Sequence, residues 1–417
     1  MKKLFGILSI FMIGLVGCSS TPAEASTDEP LVLWGGFSGG EETAINLVID
    51  EYNNTNGDAR DVVYESQEDI NTKLLTAMST GQGPDIVIWD RVNTITYAKQ
   101  DAFVGLDDYI SASDMDTSVY YQEAFDEMNI DGVQYGIPMT VDTRVLFYNK
   151  DLFDAAGLDY PTNEWTWDDM YNAATACSQT ADGKLSVAGM DLSDAGLFSQ
   201  WIYQAGGEMA DEEAMTMSFN SEQGKAVLNE WQKYLDSEAY KNGYIGGENG
   251  IQDAFASNKV CMKFDGPWAL TSLSEQGTNF GTITAPEGPG SMKSTIIGGF
   301  GFAVPTTTDD EQGAFDFINW WTNSQEAADI FFENAGHLPA NTETIESEAI
   351  QSNENVGTIT EQLDYAVARP QISGYGDAEY FGLKANLDKF MAGELTVEET
   401  LEQGEADANQ MLSEANK

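Results

Sequence analysis

The sequence predicts an α/β protein in two lobes, on three observations. The stretch from Leu31 to Trp89 alternates strand, helix, strand, helix, strand, the pattern of a sheet with helices on both faces. The chain has 417 residues, too many for one compact unit and suited to two lobes of ordinary size. Hydrophobic residues make up 42% and aromatics 11%, enough to fill real cores despite a net charge of −50.

Each element has a local reason. Leu31-Val32-Leu33-Trp34 is an apolar run broken by Gly35-Gly36, hence a buried strand opening into a loop. From Glu41 to Tyr52, Ala44, Ile45, Val48, Ile49 and Tyr52 recur at helical spacing. Val62-Val63-Tyr64 is a second strand, Ile70 to Met78 a helix stopped at Gly81-Gln82-Gly83-Pro84, and Asp85 to Trp89 a third strand. In such sheets ligands gather beyond the carboxyl ends of the strands.

Ile130 to Pro138 reads as a hairpin and Val145 to Tyr148 as an apolar strand. Thr166 with Asp169 three residues on makes a capping box for a helix over Trp167–Cys177. A helix over Glu222–Leu235 and a strand over Val260–Phe264 follow, the strand ending in Asp265-Gly266-Pro267-Trp268, read as an exposed turn. Thr282–Thr284 and Gly301–Pro305 are strands, and Asp310–Trp321 and Ser324–Asn334 helices. Thr396 and Glu399 form a second capping box for a last helix, Val397–Ala415.

Composition narrows the chemistry. Nineteen Lys and Arg against 69 Asp and Glu argue against nucleic acid, whose phosphates demand a basic face. Such an excess points to a heavily hydrated surface and to a salty habitat rather than a cationic partner. A single histidine, His337, excludes multi-His metal sites and argues against His-activated nucleophiles; no metal or cofactor is expected. His337, in Gly336-His337-Leu338-Pro339, reads as part of a structural turn. Carboxylate-pair chemistry such as glycoside hydrolysis survives this filter. The glycine pairs lack Walker spacing and the acidic stretches lack the EF-hand pattern.

Lys2 and Lys3, the apolar Leu4–Val16 and Leu15-Val16-Gly17-Cys18 form a sorting signal over residues 1–17, too short to span a membrane as a helix. Leu-Val-Gly-Cys resembles a bacterial lipobox, in which Cys18 would carry lipid and begin the mature chain. The Ser-, Thr-, Ala- and Pro-rich stretch over 18–27 reads as a tether. Cys177 and Cys261 would then sit in an oxidising compartment, where a disulfide and two buried thiols are both open.

Several motifs occur together: Leu33-Trp34 with Ser38-Gly39-Gly40-Glu41, Gly83-Pro84-Asp85-Ile86, and Tyr135-Gly136-Ile137-Pro138. They continue in Phe147 to Phe153, Asp265-Gly266-Pro267-Trp268, and Gly299-Phe300 through Val304-Pro305. In this order the chain resembles the extracellular solute-binding proteins of bacterial ABC importers, in the sugar-binding family of maltose-binding type. The resemblance covers nearly the whole mature chain and implies a type II periplasmic-binding-protein fold, two α/β lobes joined by a multi-crossing hinge. It places one lobe at 28–141 plus 298–340 and the other at 142–297 plus 341–417. It also implies a carbohydrate ligand held between the lobes, permease subunits in the membrane as partners, anchoring outside the cell by lipid, a monomer, and binding rather than catalysis.

Sugars present apolar faces edged by hydroxyls, so a site needs aromatic platforms beside acids, amides or Arg. Trp34, Phe37, Trp89, Trp268, Phe300 and Tyr375 fall at strand ends or in loops, with Asp90, Arg91, Asp142, Arg144, Asp265 and Arg369 near them. Ser38, Glu41 and Gly299 join the candidates through their motifs. Trp34 and Trp89 also suit a core role. Trp268 is the preferred platform, and the resemblance implies that the Trp of Gly-Pro-Trp stacks a sugar ring.

The chain has four arginines, Arg60, Arg91, Arg144 and Arg369, and the last three fall in the expected cleft. Each either holds a neighbouring acid (Asp90, Asp142) for sugar hydroxyls or binds an anionic group of the ligand, a uronate or sugar phosphate. Where the maltose type has Glu near the hinge, this chain has the shorter Asp142, a departure from strict maltose specificity.

Overall fold

The computed structural model describes residues 29–194, 196–242, 244 and 253–416. The sorting signal, Cys18 and the tether lie outside the described residues. In chain order the main strands are β1 (Leu31–Gly35), β2 (Val62–Ser66), β3 (Ile86–Asp90), β4 (Gly136–Pro138), β5 (Val145–Asn149), β6 (Gln179–Ala181), β7 (Lys184–Met190), β8 (Val260–Asp265), β9 (Phe280–Ile283) and β10 (Phe300–Ala303). The helices that matter below are α1 (Gly40–Thr55), α2 (Ile70–Ser79), α3 (Trp167–Cys177), α4 (Leu197–Gln204), α5 (Glu222–Asp236), α6 (Trp268–Glu275), α7 (Glu311–Asn323), α8 (Gln325–Ala335) and α9 (Val397–Ala415).

The strands form two five-stranded sheets, ordered β2-β1-β3-β10-β4 and β9-β5-β8-β7-β6. In the first, β1 pairs in parallel with β2 and β3, whereas β10 runs antiparallel to β3 and β4. Parallel neighbours need a crossover, and α1 and α2 supply it. The chain therefore leaves the first sheet after Pro138, builds the second, and returns to the first at Phe300.

Short pairings stitch the connecting segments. Thr140–Val141 pairs with Leu338–Pro339, Thr295–Ile296 with Ala366–Val367, and Asp142 bridges Gly298.

Side-chain alternation in β5 shows why the second sheet has cores on both faces. Val145 and Phe147 join a core with α1, α7 and α8, while Leu146 and Tyr148 join one with α3, α4, α5 and α9. The capping boxes of α3 and α9 form as expected from Thr166–Asp169 and Thr396–Glu399. Cys177 at the end of α3 is disulfide-bonded to Cys261 in β8, which resolves the alternative left open by the sequence.

Two readings need correction. Trp268 does not sit in a turn but is the first residue of α6, entered through Pro267. Helix α4 was not anticipated: all eight of its residues are buried, and its polar positions Ser199, Gln200 and Gln204 fall in a run too short to establish a helical period.

Candidate functional site

A cleft of about 660 Å³ lies between the sheets, near the carboxyl ends of β1 and β3. One wall carries Glu41, Asn71, Asp90, Asn93, Phe300 and His337. The other carries Arg144, Gly196 and Trp268, together with Asp377, Glu379, Tyr380, Phe381 and Lys384 from the C-terminal part of the chain. Asp142, Ile296, Gly298, Gly299 and Arg369, from the connecting segments, complete it. A recess of about 320 Å³ adjoins it under Gly36, Phe37 and Trp89.

Local geometry explains the placement of the key groups. The loop after β1 is held by Phe37 O, which accepts from Tyr64 Oη at 3.0 Å and Ser66 Oγ at 2.7 Å. That loop delivers Glu41 on the first turn of α1. His337 Nε2–H donates to Glu41 Oε1 at 2.9 Å, and its ring stacks on Phe331 at 5.1 Å. Trp268 is half-buried, and its ring folds back over Gly266, where an added Cβ would lie 2.3 Å from the indole. The Arg144 guanidinium sits 5.8 Å from the centre of that indole.

The arginines are spoken for, but not by their neighbours in sequence. Arg369 forks onto Asp90 at 2.9 and 2.5 Å and also donates to Glu127 at 3.1 Å. Arg91 pairs with Glu127 at 2.9 Å and is wholly buried. Arg144 meets Asp194 only at 3.4 Å. Pairing through Asp90–Arg91 and Asp142–Arg144 is thus replaced by longer-range partners, because residues adjacent at a strand end project in different directions.

The carboxylates differ in proton affinity. Burial pushes Asp142 above the usual carboxylate range, with Arg144, Arg91 and Arg369 opposing the shift. Glu379 is raised in the same way by burial, against Ser199 and Arg369. Asp90 also suffers desolvation, yet the Arg369 guanidinium holds it below the usual value. No side-chain hydrogen bond to the Asp142 carboxylate is found among the described residues, which leaves both oxygens able to accept from a ligand.

Of the candidates read from sequence, the structure brings Glu41, Asp90, Asp142, Arg144, Trp268, Gly299, Phe300 and Arg369 to the cleft. Phe37 and Trp89 border the recess; the Trp89 ring is buried against Tyr97 and Phe103 and serves the core. Trp34, Ser38, Arg91, Asp265 and Tyr375 do not line the cleft. Trp34 Nε1–H is turned aside to Glu65, and Asp265 is tied to Lys263 and to the amide of Gly266. Tyr375 is buried in the second core.

His337 is corrected the other way: read as a plain turn residue, it faces the cleft through Glu41. Tyr380 and Phe381 went unread. They are among the most exposed aromatics of the chain, packed edge to face at 5.0 Å on a π-helical turn, Ala378–Leu383. An adjacent aromatic pair directly after Asp377-Ala378-Glu379 was the available signal.

The family model described as bacterial extracellular solute-binding protein matches residues 48–358. A maltodextrin-binding protein of Bacillus subtilis is 24% identical over 391 residues, 89% of this chain and 88% of that one. A maltooligosaccharide ABC transporter solute-binding lipoprotein of Streptococcus pneumoniae is 22% identical over 406 residues, covering 89% and 87%. An ABC substrate-binding protein of Listeria monocytogenes, solved with cycloalternan, superposes with a TM-score of 0.82 at 25% identity over 93% of this chain and 99% of its own. The two-sheet architecture is that of the type II periplasmic binding proteins. With the family model spanning most of the residues that build both sheets and the cleft between them, the chain belongs to the bacterial extracellular solute-binding proteins.

Proposed function

We propose that the chain is the extracellular receptor of an ABC importer and captures a neutral sugar or oligosaccharide in the cleft. The observation that carries this is the composition of the walls. Trp268, Phe300, Tyr380 and Phe381 offer apolar faces, while Glu41, Asp90, Asp142 and Glu379 offer acceptors for hydroxyl groups. A ligand touching both walls favours the closed state, since only there are all contacts made.

The balance of charge speaks against an anionic ligand. Glu41, Asp90, Asp142, Asp377 and Glu379 face Arg144, Arg369 and Lys384, and Arg369 is already neutralised by Asp90 and Glu127. The named sugar receptors it is similar to support the carbohydrate reading. As site residues we propose Trp268 as stacking platform, Asp142, Glu41 and Asp90 as acceptors, and Arg144 as donor. The lobes are taken as 28–141 with 298–340 and 142–297 with 341–417.

The same reading makes the protein a binder rather than an enzyme, a monomer, and a lipoprotein joined to the membrane through Cys18. No helix among the described residues is long and apolar enough to cross a membrane. A thermal-shift screen against a glycan panel tests the ligand: a saccharide at a hundred times its Kd adds about 2.7 kcal/mol of stability. A panel without any shift would overturn the carbohydrate reading, and appearance of cleaved glycan would overturn pure binding. Cys18→Ser should release the protein from membranes into the medium; retention would sink the lipid anchor.

A further inference from the structure

Arg91 and Glu127 are charged, buried and absent from the cleft wall, so the binding reading leaves them unused. Their contacts are specific. Arg91 Nη1 donates to Thr140 O at 2.5 Å and Nη2 to Gly298 O at 2.7 Å. Those carbonyls belong to the two segments by which the chain leaves the first sheet and returns to it. Arg91 Nε donates to Glu127 Oε2 at 2.9 Å, and the other oxygen of Glu127 accepts from Arg369 Nε at 3.1 Å.

Arg369 lies just past Ala366–Val367, the strand paired with Thr295–Ile296. Its far end forks onto Asp90 in the cleft. Gly299, at φ +128°, permits the arrangement, because a Cβ there would lie 2.4 Å from Arg91 Nη1.

The chain of contacts Asp90–Arg369–Glu127–Arg91 is electrically balanced and out of reach of bulk solvent at its centre, where charges interact strongly. It joins one cleft carboxylate to Thr140 and Gly298, on the segments by which the chain leaves and re-enters the first sheet, and to the segment that follows Ala366–Val367. We propose that Glu127 and Arg91 are positioning residues that couple Asp90, and hence an occupied cleft, to the hinge. The coupling rests on the receptor reading for its ligand, but the link to the hinge strands does not.

Hydrogen exchange on the ligand-free full-length chain tests that link. Glu127→Gln keeps the shape and removes the charge. Amides of residues 139–142, 296–300 and 366–369 should exchange at least tenfold faster, while those of β1 and β5 stay as in the parent. Arg91→Lys, which keeps the charge but loses the fork, should give the same local pattern and covers the event that Glu127→Gln does not fold. Exchange that is unchanged, or faster everywhere alike, would overturn the proposal, since a merely structural role loosens the molecule as a whole. A titration with a maltodextrin mixture should show Glu127→Gln binding at least fivefold more weakly than the parent; equal affinity would also overturn it. A parent chain that ignores every saccharide yet shows the local exchange pattern in its variants overturns the receptor reading alone.

Discussion

Trp268 and Asp142 face the same cleft but are governed by different physics. The indole is anchored by its contact with Gly266 and flanked by Arg144, so stacking of a ligand on it would cost little side-chain freedom. Trp268→Ala should weaken saccharide binding roughly 10- to 100-fold, about 1.4–2.8 kcal/mol by titration calorimetry. Unchanged affinity would remove Trp268 from the site. Asp142 is a carboxylate raised by burial. A hydroxyl donating to it favours the ionised form, so binding and protonation oppose each other. Affinity should therefore fall on acidification, starting above the ordinary carboxylate range, as protons fill the unliganded Asp142. In Asp142→Asn this part of the pH dependence should vanish; an identical pH profile would assign it elsewhere. The Asp90 carboxyl is shifted the other way, and its lowered value bears on folding rather than affinity: it adds stability that is present above the unfolded value and lost as pH drops through the folded one.

Among the elements, the covalent tie between α3 and β8 matters most. Cys177 and Cys261 are 84 residues apart, so the bond closes a long loop. By the loop-entropy argument it contributes about 4.5 kcal/mol, largely by restricting the unfolded chain. Replacing both cysteines with Ser should lower the denaturant midpoint accordingly without altering cleft affinity, because neither residue lines the cleft. A loss well under about 1 kcal/mol would show that the unfolded chain is compact without the bond. The π-helical turn Ala378–Leu383 is a second element with consequences, since its irregular winding sets Tyr380 and Phe381 on the cleft side of the C-terminal region.

For the whole molecule, charge dominates. A net −50 on 417 residues repels itself, and the repulsion falls as the Debye length shrinks from about 10 Å at 0.1 M salt to about 3 Å at 1 M. The Tm measured by calorimetry should rise by several degrees over that range in sodium chloride. A Tm that stays level or drops would mean that the Arg–carboxylate contacts, also screened by salt, outweigh the repulsion. Segments from distant parts of the chain meet at Thr140, Gly298 and Arg369, where the buried network gathers them, and the proposed closure would bend the molecule there.

Local signals carried much of this. The apolar runs of β1, β3 and β5, the helical spacing of α1 and the capping boxes of α3 and α9 are short-range patterns, and each appears where the spacing places it. Motif order along the chain was enough to indicate the family and the two-lobed plan. Only tertiary structure decided which side chains share the cleft. Asp90 chose Arg369 over Arg91, His337 came to Glu41 across 296 residues of sequence, and Trp34 and Tyr375 turned away. The reason is that propensity and periodicity act over a few residues. The partner of a charged or aromatic group at a strand end is set instead by how two sheets and their connections pack, where desolvation makes the best-matched distant partner win over the adjacent one.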